Sequence, residues 1–249
     1  MTIFIKNNKM KAMIFAAGKG TRLKPLTDNT PKALIEVQGG ALLGHVINHL
    51  KKYGVTDIVI NVHYLSEQIV NYLKSNNNFG INISISDESD LLLDTGGGLL
   101  KAAHFFNKNE DFIVYNVDIL SDINLDEMLA YHKTHKSLAT LAVRDRQTSR
   151  YFLFDKNLQL RGWKNTQTGY LIKTVERDKD LLPLAFSGIH ILNARFFDLI
   201  QETGAFSITS AYLQLANKHK IIGFRHDSSQ WFDIGKAETL KAAELNFKV

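Results

Sequence analysis

The stretch Ala16-Ala17-Gly18-Lys19-Gly20-Thr21-Arg22-Leu23-Lys24-Pro25-Leu26-Thr27 decides how this chain is read. It follows the apolar run KAMIFAA at 11–17, a pattern that suits a strand buried on both faces of a parallel sheet. A loop leaving the carboxyl end of such a strand opens onto the crevice where α/β sheets hold ligands. Gly18 and Gly20 let backbone N–H groups crowd around phosphate oxygens, while Lys19 and Arg22 add charge, Arg22 with two-point geometry. The Walker pattern GxxxxGK[ST] is absent, and the dinucleotide fingerprint needs glycine at 23, where this chain has Leu23. Pro25 also stops a helix from running smoothly out of the loop.

Downstream, apolar spacing predicts a helix over 42–53 that stops at Gly54, a strand over 57–61, a helix over 67–74 and a strand over 81–86. A glycine-rich turn, a helix over 99–106 and a strand over 112–116 follow. Strands alternating with helices indicate βαβ crossovers, hence a Rossmann-like α/β fold with a mainly parallel sheet and helices on both faces. Past residue 138 the rhythm changes. Strands are predicted over 138–143, 151–154, 158–162 and 184–192, which reads as a small antiparallel extension building an acceptor site. Helices over 195–202, 208–218 and 237–247 surround a strand over 221–226. No repeat or linker divides the chain. The expectation is one domain over 1–249, with a core at about 10–137 and an acceptor-binding part at about 138–235.

Composition narrows the function classes. The 249 residues are 45% hydrophobic, enough for a sizeable core, and cysteine is absent, which excludes disulfides and thiolate metal sites. No apolar run approaches the roughly 20 residues that span a bilayer. The first nine residues, MTIFIKNNK, are too short and polar for a secretory signal, and Met10 could serve as an alternative start. A cytoplasmic protein with no membrane partner is expected. The formal charge of +5 is spread without a basic run or adjoining aromatic motif, which favours phosphate-bearing small molecules over nucleic acid.

Asn116-Val117-Asp118 closes a hydrophobic strand, so Asp118 should emerge at the carboxyl edge, where a carboxylate suits Mg²⁺. Asn61 and Glu88 lie just past predicted strands near the same crevice, and Glu88 is a candidate for positioning substrate. His132 and His135 lie three apart on a predicted helix with no third ligand, which reads as a solvated face rather than a zinc site.

The loop G-x-G-T-R-L-x-P-L-T, followed by Thr30-Pro31-Lys32-Ala33-Leu34, resembles the sugar-1-phosphate nucleotidyltransferase family. The resemblance runs from Lys11 to about residue 245 and is closest to the branch acting on N-acetylmuramate 1-phosphate with UTP. It implies that Ala17, Gly18, Lys19, Gly20, Thr21 and Arg22 hold a nucleoside triphosphate, with Lys32 as the catalytic lysine and Arg22 assisting it. Asp94-Thr95-Gly96-Gly97-Gly98 matches the turn that lines the nucleobase, making Gly96 and Gly97 base-contact candidates. Trp231-Phe232-Asp233-Ile234-Gly235 matches the family's W-x-D-[IV]-G, whose aspartate is the second Mg²⁺ ligand beside Asp118. Asn116, Ser187 and Gly188 become candidates for contacting the sugar 1-phosphate, although a small-residue bend in a strand explains Ser187 and Gly188 equally well. That branch's Gly-Asp-Phe has no counterpart here; Ser149-Arg150-Tyr151-Phe152 stands near its place. The alternatives are a mannose- or heptose-1-phosphate guanylyltransferase and a non-catalytic subunit that binds an NDP-sugar.

Overall fold

The computed structural model describes residues 10–175 and 180–247, so the nine residues weighed above as a signal lie outside the described ones. The chain opens with β1 (Met10–Phe15), the glycine loop, and a hairpin of β2 (Glu36–Val37) and β3 (Gly40–Ala41). It continues as α1 (Leu42–Lys52), β4 (Val55–Val62), α2 (Ser66–Ser75), β5 (Asn82–Asp87), α3 (Asp94–Lys101) and β6 (Asp111–Asn116). Next come β7 (Ile119–Ser121), α4 (Leu125–His135), β8 (Ala139–Arg144), β9 (Arg150–Phe154), β10 (Leu160–Asn165) and β11 (Leu171–Lys173). The last elements are β12 (Leu182–Asn193), α5 (Phe196–Leu199), α6 (Ile208–Leu215), β13 (Ile221–Arg225), β14 (Trp231–Asp233) and α7 (Ala237–Asn246).

β5, β4, β1 and β6 run parallel with β1 inside, the order that βαβ crossovers produce. Register brings Phe15 opposite both Asn61 and Asn116, so the carboxyl ends of three strands form one row. The long β12 pairs antiparallel with β6 and β8, and its first residues pair with β9, from which β10 and β11 extend. The fold is thus the expected α/β type, with a mixed, mostly parallel central sheet. The antiparallel extension proper is β9–β11. β8 instead joins the main sheet and pairs parallel with β13.

Side-chain alternation along β1 builds a core on each face. Ala12 and Ile14 pack with Leu43, Val46, Ile47 and Leu50 of α1, and Met13 and Phe15 with Leu99 of α3 and Tyr212 of α6. Burying each such large side chain contributes roughly 1.5–3 kcal/mol before entropy is counted. A third cluster, including Leu23, Leu120 and Ile234, ties the glycine loop to β7 and to the segment after β14. No described helix is long and apolar enough to cross a membrane.

Two local readings are corrected. The glycine-rich segment is not a turn: α3 begins at Asp94, and the part read as its second half is a 3₁₀ turn at Ala103–Phe105. His132 is not on a solvated face. It is buried, with Nδ1 2.8 Å from Thr140 Oγ1 and Nε2 3.3 Å from Asp111 Oδ1.

Other buried histidines give a testable acid sensitivity. Burial lowers the pKa of His190, whose ring meets the Tyr212 hydroxyl, to about 3 and those of His49 and His226 to about 4. Near neutrality neither the folded nor the unfolded state protonates them. Below an unfolded value near 6.5, the unfolded chain binds protons that the folded chain refuses, so stability falls by about 1.4 kcal/mol per pH unit for each. The melting temperature should therefore drop steadily from about pH 6.5 to 4. A flat profile across that window would contradict the burial of these rings.

Candidate active site

A cavity of about 530 Å³ opens at the row formed by Phe15, Asn61 and Asn116. Ala17, Gly18, Gly20, Thr21 and Arg22 line one side, and Lys32, Glu88, Asn116 and Asp118 line the remainder. Gly20 has φ +64°, and a Cβ there would sit 2.9 Å from Thr27 Cγ2 and 3.0 Å from Lys32 Cβ. Only glycine fits such a fold-back. The Thr27 hydroxyl donates to the Gly20 carbonyl at 2.9 Å, and Leu23 N–H donates to the same oxygen at 2.9 Å. With Leu23 anchored in the core, the exposed Thr21 and Arg22 present themselves to the cavity. Lys19 is exposed and lies outside the cavity lining.

The charged centre is assembled from three distant segments. Lys32 sits on a 3₁₀ turn (Lys32–Leu34) behind Gly20, is 8% exposed, and forms an ion pair with Asp118 at the end of β6. β14 pairs antiparallel with β7, placing Asp233 opposite Ile119, and Ile234 N–H donates to the Asp118 carbonyl at 2.8 Å. The two aspartates are therefore neighbours. A Cβ on Gly235 would lie 2.9 Å from both Arg22 Nη2 and Asp233 Oδ1, which locates Arg22 beside the second carboxylate. Burial, then the charge of Asp118, raises the Asp233 pKa, against the pull of Lys32, Arg22 and Arg146.

Asp233 Oδ1 is buried without a hydrogen-bond partner. Asp233 itself stands behind the cavity lining, next to Asp118 and Gly235, which do line it. An orphaned carboxylate oxygen beside a second carboxylate that faces a cavity lined by phosphate-loop residues fits a hard divalent cation. No group of three or more His, Cys, Asp or Glu among the described residues suits a metal. Mg²⁺ does not require one, since it usually takes one or two carboxylates and completes its shell with waters and substrate phosphates.

Glu88 lines the cavity, but both of its carboxylate oxygens are engaged. Oε1 accepts from Asn61 Nδ2 at 2.7 Å and Oε2 from Leu93 N–H at 3.0 Å, while Asn61 Oδ1 accepts from Ala16 N–H at 2.8 Å. With 1% exposure, Glu88 is a strut joining the ends of β1 and β4 to the start of α3. Leu92, Asp94, Thr95 and Gly235 also line the cavity, and sequence reasoning did not assign them there. For Leu92 the available signal was an apolar run, Leu91–Leu93, left exposed just before a helix.

Besides Lys19, four candidates fall away from the cavity wall. Gly96 and Gly97 direct their N–H groups to the Phe206 carbonyl, at 2.8 and 3.3 Å, which leaves neither amide for a base. A Cβ on Gly97 would approach Gly204 O to 2.1 Å, so these glycines exist to seat α3 against residues 204–206. Gly97→Ala should cost roughly 1–3 kcal/mol by overpacking, visible as a lowered melting temperature. An unchanged melt would refute this close seating. Ser187 is fully buried with its hydroxyl 2.6 Å from His226 Nε2, and Gly188 takes φ +77° where a Cβ would strike Ile119. The small-residue bend in β12 is what stands there; neither residue lines the cavity.

Comparison with known proteins places the chain among enzymes of one chemistry. A family model described as Nucleotidyl transferase matches residues 11–248. N-acetylmuramate alpha-1-phosphate uridylyltransferase of Neisseria meningitidis serogroup B is 31% identical, over 94% of this chain and 97% of that protein. Mannose-1-phosphate guanyltransferase 2 of Candida glabrata is 32% identical over 94% of this chain, which spans only 63% of it. In fold, the chain is similar to the crystal structure of HddC from Yersinia pseudotuberculosis complexed with GMP-PN. That likeness has a TM-score of 0.76 at 20% identity and covers 96% of this chain and 100% of the other.

Proposed function

This chain belongs to the nucleotidyl transferase family, among the sugar-1-phosphate enzymes, and on that premise we propose that it makes UDP-N-acetylmuramate and pyrophosphate from UTP and N-acetylmuramate 1-phosphate. The observation that carries this reading is the meeting of the glycine loop and the Lys32–Asp118 pair at one cavity, with the orphaned Asp233 oxygen beside that pair. The uridylyl choice is supported by the relative that the chain matches over nearly its whole length. A guanylyl transfer to mannose 1-phosphate is the second reading, supported by similar identity to longer proteins.

In this mechanism an oxygen of the sugar phosphate attacks the α-phosphorus of the triphosphate in line with the departing pyrophosphate. The attacking group is already an anion at neutral pH, so no general base is needed. The work of the protein is to gather several negative groups and stabilise the charge that develops between them. The amides of 17–21 cradle the triphosphate, and Arg22 draws the leaving pyrophosphate. Lys32 supplies its ammonium at the α-phosphate. Asp118 and Asp233 would hold Mg²⁺, which would supply further positive charge against the phosphates. Residues 10–137 serve as the nucleotide half and 138–235 as the acceptor half of a single domain, acting in the cytoplasm, where nucleoside triphosphates are abundant.

A pyrophosphate-release screen of the purified protein with Mg²⁺ tests this, crossing the four nucleoside triphosphates with a panel of sugar 1-phosphates. The highest kcat/KM should fall on UTP with N-acetylmuramate 1-phosphate. A maximum at GTP with mannose 1-phosphate would replace that pair by the second reading. Silence across the whole grid would sink the enzymatic reading.

A further inference from the structure

We propose that Arg146, lying on the indole of Trp231, is the receptor for the acceptor's phosphate. This rests on the reading of the acceptor as a sugar 1-phosphate. Arg146 follows β8 in the acceptor half, and its guanidinium carbon stands 4.4 Å from the Trp231 ring centroid. One nitrogen donates to the Phe186 carbonyl at 3.1 Å. Its Nε is buried and has no hydrogen-bond partner.

The platform beneath it is fixed from three sides. Trp231 Nε1 donates to the Ser187 carbonyl at 2.9 Å, the Ser187 hydroxyl meets His226, and β14 is pinned to β7 by backbone pairing. The bend at Ser187 and Gly188, which does not line the cavity, thus has a purpose: it turns a carbonyl toward the indole. Trp231 and Asp233 are two apart on one strand and so project from the same face. Arg146, stacked on the first, comes within electrostatic reach of the second.

Three cations therefore approach Asp233, each from its own direction. Lys32 is already paired with Asp118, and Arg22 comes from the triphosphate loop. Arg146 comes from the acceptor side, half-buried, with its buried Nε idle and its hydrogen bond going to a backbone carbonyl instead of a carboxylate among the described residues. A half-buried guanidinium with a buried, idle N–H costs stability unless an anion completes it. Its planar fork suits a phosphate monoester, and stacking fixes the plane of that fork before the ligand arrives. An acidic sugar could offer a carboxylate instead. Adjacency to Asp233, at the reacting centre, favours the phosphate that performs the attack.

The test compares wild type with Arg146→Gln and Arg146→Lys, using N-acetylmuramate 1-phosphate and N-acetylglucosamine 1-phosphate. The second probe carries the same phosphate without the carboxylate. Binding is measured by calorimetry with a saturating UTP analogue bridged by methylene between the α- and β-phosphorus, and KM by pyrophosphate release. Arg146→Gln should weaken both sugar phosphates roughly tenfold or more, with Arg146→Lys intermediate and affinity for the UTP analogue within about twofold of wild type. Unchanged affinity for the sugar phosphates overturns the assignment. So does a loss confined to N-acetylmuramate 1-phosphate, which would assign Arg146 to the carboxylate, or an equal loss of UTP-analogue binding, which would mark a structural role. Wild-type protein that binds both probes but releases no pyrophosphate would overturn the proposed reaction alone. Protein that binds neither would overturn both.

Discussion

Lys32→Ala should lower kcat about a hundredfold or more, the usual cost of deleting one charge-stabilising donor at a phosphoryl or acyl transfer centre. The position argues for that size. Lys32 is nearly buried, its stem packs beneath Gly20, and its ammonium has one partner among the described residues, Asp118. A lysine kept this dry in a cavity lined by the phosphate loop contributes more than a solvated one, because the surroundings screen it less. Lys32→Met separates charge from packing, since it retains the stem and removes the ammonium. Both variants should lose activity to a similar extent, with KM for the nucleotide changing far less than kcat. Pyrophosphate release at saturating substrates measures this. Turnover within about threefold of wild type in either variant would remove Lys32 from the reacting centre.

How far the sequence could be read depended on how local each determinant is. β1, the glycine loop and the pairs around α1 and β4 follow from apolar periodicity and neighbouring caps, and the expected alternation of strands and helices is present there. The segment Asp94-Thr95-Gly96-Gly97-Gly98 misled because glycine weakens a helix in isolation. Here the helix is held by residues 204–208, with Gly96 and Gly97 bonded to Phe206 and Thr95 Oγ1 accepting from Ile208 N–H at 3.0 Å. That partner lies 113 residues along the chain, beyond any local pattern. His132 misled in the same way, since Thr140 and Asp111 reach it from β8 and β6.

The site shows a second limit. Motif matching named Lys32, Asp118 and Asp233, which the fold brings together, but it could not rank the other polar residues around them. Glu88 is a carboxylate at the right strand end, yet its oxygens are committed to Asn61 and Leu93. Arg146 matched no motif, because its meaning comes from Trp231, which arrives from a strand 85 positions later. Sequence spacing reveals residue types; only packing reveals which of their hydrogen-bonding atoms are left idle.

Asp233→Asn should abolish most activity and at the same time stabilise the protein measured without metal. The carboxylate is held in a half-buried position next to Asp118, and its Oδ1 has no donor. Its raised pKa carries a definite sign: at neutral pH, folding is penalised by the charged form, and the penalty fades as pH falls and the group protonates. The neutral isostere removes that penalty, so the melting temperature in chelator should rise, by about 2–4 °C for each kcal/mol relieved in a chain of this length. Asn also keeps an oxygen ligand but surrenders the negative charge that a divalent cation needs. The Mg²⁺ concentration for half-maximal rate should therefore climb roughly tenfold or more, with kcat about a hundredfold lower even at saturating metal. Asp118→Asn is the control: it should damage activity comparably without stabilising, since it breaks the ion pair that holds the Lys32 ammonium. A variant at 233 that loses stability, or that keeps the wild-type Mg²⁺ profile, would show that the orphaned oxygen serves the fold and not a cation.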